Sequence, residues 1–294
     1  MPSKGQGSAK KDDVRRGLKA KLLPYTPRSD LSPDEKRIEQ EVGLYFSTKT
    51  SFLIRKYHRR FKNVIDRNNA QELFALYSRN RESRQRLSLA THEPAGALAD
   101  EVYFAMVRKP APDSSNVVLF NAGGQGSGKT TSLRYSPLAQ PPCIIMDGTM
   151  QDFHKGCRNI ELALKNGKPV HVNYVYCPFP KAVEHIIRRA SSLDGGRVVN
   201  IKRAAKGHYN ALRNIFRFEE KYKDNQQVSF LAVDNTGDEP KLITMDELRA
   251  KPQPSVDALE AEGYGVVDDY FSAKQESDPS LTDELYQFLK GEPR

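Results

Sequence analysis

One stretch concentrates residue types that can do chemistry: Asn116-Val-Val-Leu-Phe-Asn-Ala-Gly-Gly-Gln-Gly-Ser-Gly-Lys-Thr-Thr131. Gly123, Gly128, Lys129 and Thr130 satisfy G-x-x-x-x-G-K-[ST], the spacing of a phosphate-binding loop. Glycines let the backbone wrap a polyphosphate with no Cβ in the way, so that successive N–H groups point at the anion. A helix starting near Gly128 would add its positive N-terminal end. Lys129 can reach the β- and γ-phosphates, and the Thr130 hydroxyl can coordinate Mg²⁺. Gly123, Gly124, Gln125, Gly126, Ser127, Gly128, Lys129, Thr130 and Thr131 are therefore expected to hold a nucleoside triphosphate. The bland alternative is a flexible Gly/Ser loop, but such a loop does not need a strand before it and a helix after it.

The elements around the loop meet that requirement. Val117–Phe120 is a short apolar run that reads as a buried strand. Beyond the loop, Pro137, Pro141 and Pro142 cut the following helix short. Cys143–Met146 reads as the next strand, closing on Asp147-Gly148-Thr149. A helix over about 151–166, a strand over 170–176 and a helix over 181–191 follow, then a polar stretch at 194–197. A long helix at about 199–222 and a strand at 228–233, ending on Asp234-Asn235, complete the alternation. Strands alternating with helices predict an α/β fold, a layered parallel sheet of the P-loop NTPase type. Ligands in such folds sit at the carboxyl ends of strands, which puts Asp147, Gly148 and Asp234 on the loop's edge.

Upstream the pattern is helical. Ser32-Pro33-Asp34-Glu35 is a helix start with a capping serine, a proline and early acids. Helices are expected at about 33–46, 49–65, 69–79 and 94–107, with a basic run from Arg55 to Lys62 and a polar connector at 80–86. The expected division is a disordered basic arm (1–30), a helical region (31–110), a P-loop core (111–238) and an acidic, loosely packed C-terminal tail (239–294) with a helix at 281–290.

Of the net charge of +9, residues 1–30 carry +5 and residues 235–294 carry −8, leaving the middle strongly basic. A basic middle beside a phosphate loop suits a nucleotide or sugar nucleotide. It would also suit nucleic acid, but no nucleic-acid motif accompanies it, so nucleic acid is not expected. No run reaches the length of a membrane span, and Met-Pro-Ser-Lys-Gly-Gln-Gly-Ser has no apolar signal core. Cys143, Cys157 and Cys177 have no metal-site spacing and suit the reduced thiols of a cytoplasmic protein.

Over roughly residues 90–236 the chain resembles the zeta-toxin group of P-loop kinases. The phosphate loop is similar to that family's. Ile144-Ile-Met-Asp-Gly-Thr149 resembles its strand ending in E-G-T, with Asp147 in place of the glutamate. Gly196-Arg197-Val-Val, continuing to His208, resembles its G-R-x-V-P…H segment, with Asn200 in place of the proline, and the helix at Glu93–Asp100 resembles the one before the loop. The resemblance implies ATP- and Mg²⁺-dependent phosphorylation of a hydroxyl on a nucleotide or sugar nucleotide such as UDP-N-acetylglucosamine. It also implies a possible antitoxin-like partner. One departure matters: relatives place a strand ending in an aspartate, then substrate-binding helices, between the phosphate-loop helix and the E-G-T strand. Here only residues 131–142 lie there, too few for such a unit.

Lys129, Asp147, Asp152 and Arg197 are the candidate catalytic residues, and Thr130 and Asp147 the candidate Mg²⁺ ligands. Asp147 can orient Mg²⁺, take the acceptor's proton, or simply shape a turn. Asp152 suits a base or a helix-start acid. Arg197 follows two glycines, as on a lid over the phosphates; Arg188 and Arg189 suit a ligand contact or a helix end. His208 reads as structural; Asp234-Asn235 resembles the family's adenine-side loop and suits a simple turn equally well. The expectation is a P-loop kinase, and the alternative is a degenerate ATP-binding interaction module.

Overall fold

The computed structural model describes residues 25–109, 117–133, 143–192 and 198–291. The chain divides into two compact units, Met1–Lys62 with Arg67–Val102, and Asn63–Asp66 with Tyr103–Arg294. The boundary thus falls at 102/103, inside a helix, instead of near 110.

The first unit is helical. Helix α1 (Pro33–Phe61) starts on a full capping box, Ser32 accepting the Glu35 N–H while the Glu35 carboxylate accepts the Ser32 N–H. The two expected helices are one, interrupted only by non-helical backbone at Lys49. Leu53 and Tyr57 are buried while Arg55, Arg59 and Arg60 stay exposed, so the basic run is the outer face of an amphipathic helix. After α2 (Arg67–Gln71) the chain turns, where a helix to 79 was expected. The expected connector is instead α3 (Arg81–Leu87), because Asn80 caps the Ser83 N–H at 2.8 Å. Helix α4 (His92–Val107) follows.

The second unit is built on a six-stranded sheet. Its strands are β1 (Val64–Ile65), β2 (Val118–Ala122), β3 (Ile144–Asp147), β4 (Val170–Tyr176), β5 (Val228–Asp234) and β6 (Lys241–Ile243), in the order β1-β3-β2-β4-β5-β6. All pairings are parallel except β5 with β6. The fold is the α/β, P-loop NTPase-type parallel sheet expected from the alternation. Helices α5 (Lys129–Ser132), α6 (Phe153–Lys165), α7 (Phe179–Ser191) and α8 (Ile201–Tyr222) lie between the strands in sequence. The strand flanking β3 on its outer side comes from residues 64–65, upstream of the phosphate loop, and this also ends the second expected helix at 61 instead of 65. Ile65 is fully buried there, and the Ile145 N–H donates to the Asn63 carbonyl at 2.9 Å.

The expectation of a loosely packed acidic tail is corrected. Residues 239–291 form β6, α9 (Met245–Arg249), α10 (Val256–Lys274) and α11 (Asp283–Lys290). Leu259, Gly263, Val267 and Phe271 recur every four residues on α10 and make a buried stripe. With Leu281, Leu285 and Leu289 they pack on Phe179, Val183 and Ile187 of α7 and Ile201 and Ala205 of α8. The acids occupy the outer faces, so the charge concealed two amphipathic helices. Among the described residues no helix is long and apolar enough to cross a membrane.

Candidate active site

Strand β2 is buried at all five positions and releases the chain into the phosphate loop at a fixed point. Two glycines there have no substitute. Gly126 has a φ of +75°, and a Cβ on it would lie 2.2 Å from the Ala182 carbonyl oxygen; Gly128 has a φ of +84°, with the Asn235 amide 2.4 Å from the same point. At Gly124 a Cβ would meet His208 Nδ1 at 2.2 Å. The loop is also pinned by hydrogen bonds. The Gly126 carbonyl bonds His185 Nδ1 at 2.8 Å, and the Ser127 carbonyl accepts from Asn235 Nδ2 at 2.9 Å. Lys181 Nζ donates to the Asn235 and Gly237 carbonyls at 3.0 and 2.6 Å, fixing the turn that carries Asn235.

At the loop's mouth Lys129 Nζ donates to the Gly123 and Gly124 carbonyls at 3.1 and 2.8 Å. Burial holds the amine below its ordinary range; the carboxylates of Asp147 and Asp66 oppose that, and the Arg189 charge adds to it. Opposite stands Asp147, at the end of β3. Its Oδ2 accepts from Thr130 Oγ1 at 3.3 Å and its Oδ1 from Asn121 Nδ2 at 3.3 Å. Burial pushes the Asp147 carboxyl up to about 6, against the pull of Lys129 and with a further push from Asp66. Asn121 in turn accepts from Asn173 Nδ2 at 3.0 Å. An amide chain thus runs from β4 through β2 to the acid on β3.

The chemistry of the set fits a nucleoside triphosphate. Ser127 Oγ, which can donate to a phosphate oxygen, is buried with no hydrogen-bond partner, and the loop glycines keep a side-chain-free cradle around Lys129. Among the described residues no three His, Cys, Asp or Glu cluster as a metal cage. The Thr130–Asp147 pair is the kind of sparse site that Mg²⁺ completes with phosphate and water. Beside the loop, Tyr176, Phe179, His208, Arg213, Thr236 and Lys251 line a cavity of about 690 Å³ at the ends of β4 and β5.

The other expected residues divide. Asp152 is the N-cap of α6, its Oδ1 accepting the Lys155 N–H at 2.9 Å, so its carboxylate has a structural task. Arg188 is exposed and bridges Glu184 one turn away, whereas Arg189 is close enough for its charge to act on Lys129. His208 is buried. Burial and Lys129 hold it down at about 4, and its Nδ1 has no partner. Asp234 Oδ1 accepts the Thr236 N–H at 3.0 Å, a turn, while Asn235 alone reaches the loop. Thr131 is exposed, and Arg197 lies outside the described residues. Asn121, Asn173 and Asp66 escaped sequence reasoning. The signal was present: two asparagines inside apolar strands, and an apolar pair ending in aspartate at 64–66, as at 145–147.

A family model described as Zeta toxin matches residues 143–246. The match runs from the start of β3 into α9, a little over a third of the chain, and begins after the phosphate loop. It supports a nucleotide-binding, kinase-like part of the chain. No curated protein matches at a significant level.

Proposed function

We propose that this protein is an ATP- and Mg²⁺-dependent kinase that transfers the γ-phosphoryl group to a hydroxyl of a nucleotide or sugar nucleotide. The observation that carries the reading is the convergence of Lys129, Thr130 and Asp147 at the mouth of a rigid phosphate loop, beside the segment matched by the Zeta toxin model. Phosphoryl transfer asks a protein for positioning and charge neutralisation more than for covalent chemistry.

The backbone N–H groups of the loop from Gly124 to Thr130 and the Lys129 amine would hold the β- and γ-phosphates, with the Ser127 hydroxyl completing the cradle. Thr130 and Asp147 would hold Mg²⁺, which supplies charge neutralisation at the phosphates. The amide chain from Asn173 and Asn121 fixes the Asp147 carboxylate toward Thr130. The cavity at the ends of β4 and β5 is a fitting place for the base and ribose. Asp147 serves better than Asp152 as the functional acid, because Asp152 is committed to its helix cap. Arg189 and Arg197 are the candidates for balancing charge on the transferred group, and a small antitoxin-like protein is a possible partner.

The test is incubation of the full chain with γ-labelled ATP, Mg²⁺ and a panel of UDP-sugars, nucleosides and dinucleotides, beside Lys129→Ala and Asp147→Ala. Label moving to one acceptor in the native protein and in neither variant supports the proposal. ATP bound without transfer to any acceptor favours the interaction module instead, and would refute the kinase.

A further inference from the structure

We infer that His185 and Asn235 are positioning residues of the phosphate loop. From two different elements they hold its Gly126 and Ser127 carbonyls turned outward, so that the loop is shaped for a polyphosphate before one arrives. The inference rests on the nucleotide-binding half of the reading above and names what sets the strength of that binding.

The loop needs such restraint because of its composition. Gly123, Gly124, Gly126 and Gly128 stand within six residues, and glycine enters left- and right-handed backbone about equally readily. Gly126 and Gly128 are both left-handed, a choice that glycine itself does not enforce. A peptide that turned over would put a carbonyl oxygen where the anion has to lie. Lys129 ties the Gly123 and Gly124 carbonyls, but its ammonium is the group that turns to the phosphates, so it is not the lasting restraint.

Two other donors act further along the loop. His185, on α7, bonds the Gly126 carbonyl through Nδ1 at 2.8 Å; a carbonyl only accepts, so Nδ1 carries the proton. Asn235, buried beyond the end of β5, donates from Nδ2 to the Ser127 carbonyl at 2.9 Å. In a trans peptide the carbonyl and the next residue's N–H point in opposite directions. Tethering these two oxygens therefore turns the Ser127 and Gly128 N–H groups away from α7 and the Asn235 turn. The Ser127 N–H accordingly faces back across the loop, 3.3 Å from the Gly124 carbonyl. On the tethered side the packing is closed, with the Ala182 carbonyl against Gly126 and the Asn235 amide against Gly128.

The two donors form one assembly. Lys181, one turn before His185 on α7, donates to the Asn235 and Gly237 carbonyls, so α7 sets the position of Asn235 as well. α7 is fixed in its turn, because Ala182, Val183, Ile186 and Ile187 lie in the core that α10 and α11 complete. A loop held in its binding shape loses less freedom on binding, which raises affinity without any new contact to the ligand.

The test compares full-length native protein with His185→Ala, His185→Asn, Asn235→Ala and the double alanine variant. MgATP affinity is read by titration calorimetry, and the thermal unfolding midpoint is read without nucleotide. One hydrogen bond is worth a factor of about 3–10, so each alanine variant is expected to bind MgATP about 3–10-fold more weakly, and the double variant about 10-fold or more. The asparagine amide nitrogen stands as far along its side chain as His Nδ1, so His185→Asn is expected to bind close to natively. The unfolding midpoint of His185→Ala is expected to stay near native, whereas a merely structural histidine predicts a lowered midpoint with affinity unchanged. Affinity within about 2-fold of native in the double variant overturns the inference. Failure of His185→Asn to recover what His185→Ala loses overturns it too, and this pair decides the matter if the double variant does not fold. Because the readout is binding, a native protein that binds MgATP and transfers to no acceptor refutes the kinase alone. A native protein that binds no MgATP overturns this inference with it.

Discussion

Replacing Asp147 with asparagine is expected to stabilise the nucleotide-free fold while abolishing transfer. The Asp147 carboxyl titrates at about 6 in the folded chain against 3.8 for an ordinary aspartate, mainly because it is buried. A raised value means that the folded state binds the proton more tightly than the unfolded one. The group's contribution to stability is therefore fully present below about pH 4 and is lost as pH rises through about 6. A shift of about two units corresponds to about 3 kcal/mol, and screening at this partly exposed site trims it to about 2–3 kcal/mol. Asparagine has nearly the same shape. Its oxygen can accept from Asn121 Nδ2 and its amide can donate to Thr130 Oγ1, so neither native partner is stranded. The variant is thus expected to be about 2–3 kcal/mol more stable at pH 7, a rise of about 5–10 °C in melting temperature for a unit of this size. The assay is urea and thermal unfolding of both proteins, free of nucleotide, from pH 4 to pH 8. Equal stabilities at pH 7, or a difference that does not grow between pH 4 and pH 7, would refute the reasoning.

Four further outcomes are expected. Lys129→Ala removes the ammonium that donates to the Gly123 and Gly124 carbonyls at the loop's mouth, and should cut transfer by about 100-fold or more in a steady-state assay. Gly126→Ala forces a Cβ into left-handed backbone and onto the Ala182 carbonyl, costing at least about 1–2 kcal/mol in urea unfolding and weakening MgATP in calorimetry. Asn121→Ala strands the buried Asn173 amide, a cost of about 1–3 kcal/mol by the same unfolding measurement, and should lower transfer because Asp147 loses a partner. Phe271→Ala empties a buried position on α10 whose ring meets Tyr286 of α11 edge-on, and should cost about 3–5 kcal/mol; a change under about 1 kcal/mol would mean that the acidic segment is loosely held after all.

The central strands were legible because each is an apolar run closed by a turn residue, and the loop because its glycines and lysine have one physical use together. Two-residue β1 was not legible: Val64-Ile65 continues a helical pattern, and only its pairing with β3 makes it a strand. Asn80 was read as a connector residue although its side chain nucleates α3, since capping depends on geometry that composition does not carry. The C-terminal helices were concealed by charge. A stripe repeating every four residues, with Gly263 as one member, shows up weakly when scored by composition yet packs closely against Ile201 and Phe179. At the site, the convergence of Lys129, Thr130 and Asp147 was legible from spacing, but the amide chain behind Asp147 was not. Asn121 and Asn173 lie on different strands, and register alone brings them level with Asp147.

The most direct measurement follows the γ-phosphorus itself by ³¹P NMR, with Mg²⁺, ATP and the acceptor panel. A kinase built on Lys129, Thr130 and Asp147 predicts a phosphomonoester signal that grows as the γ signal falls, with one acceptor and only with native protein. A γ signal that stays constant, or that converts only to inorganic phosphate, would contradict phosphoryl transfer to a hydroxyl.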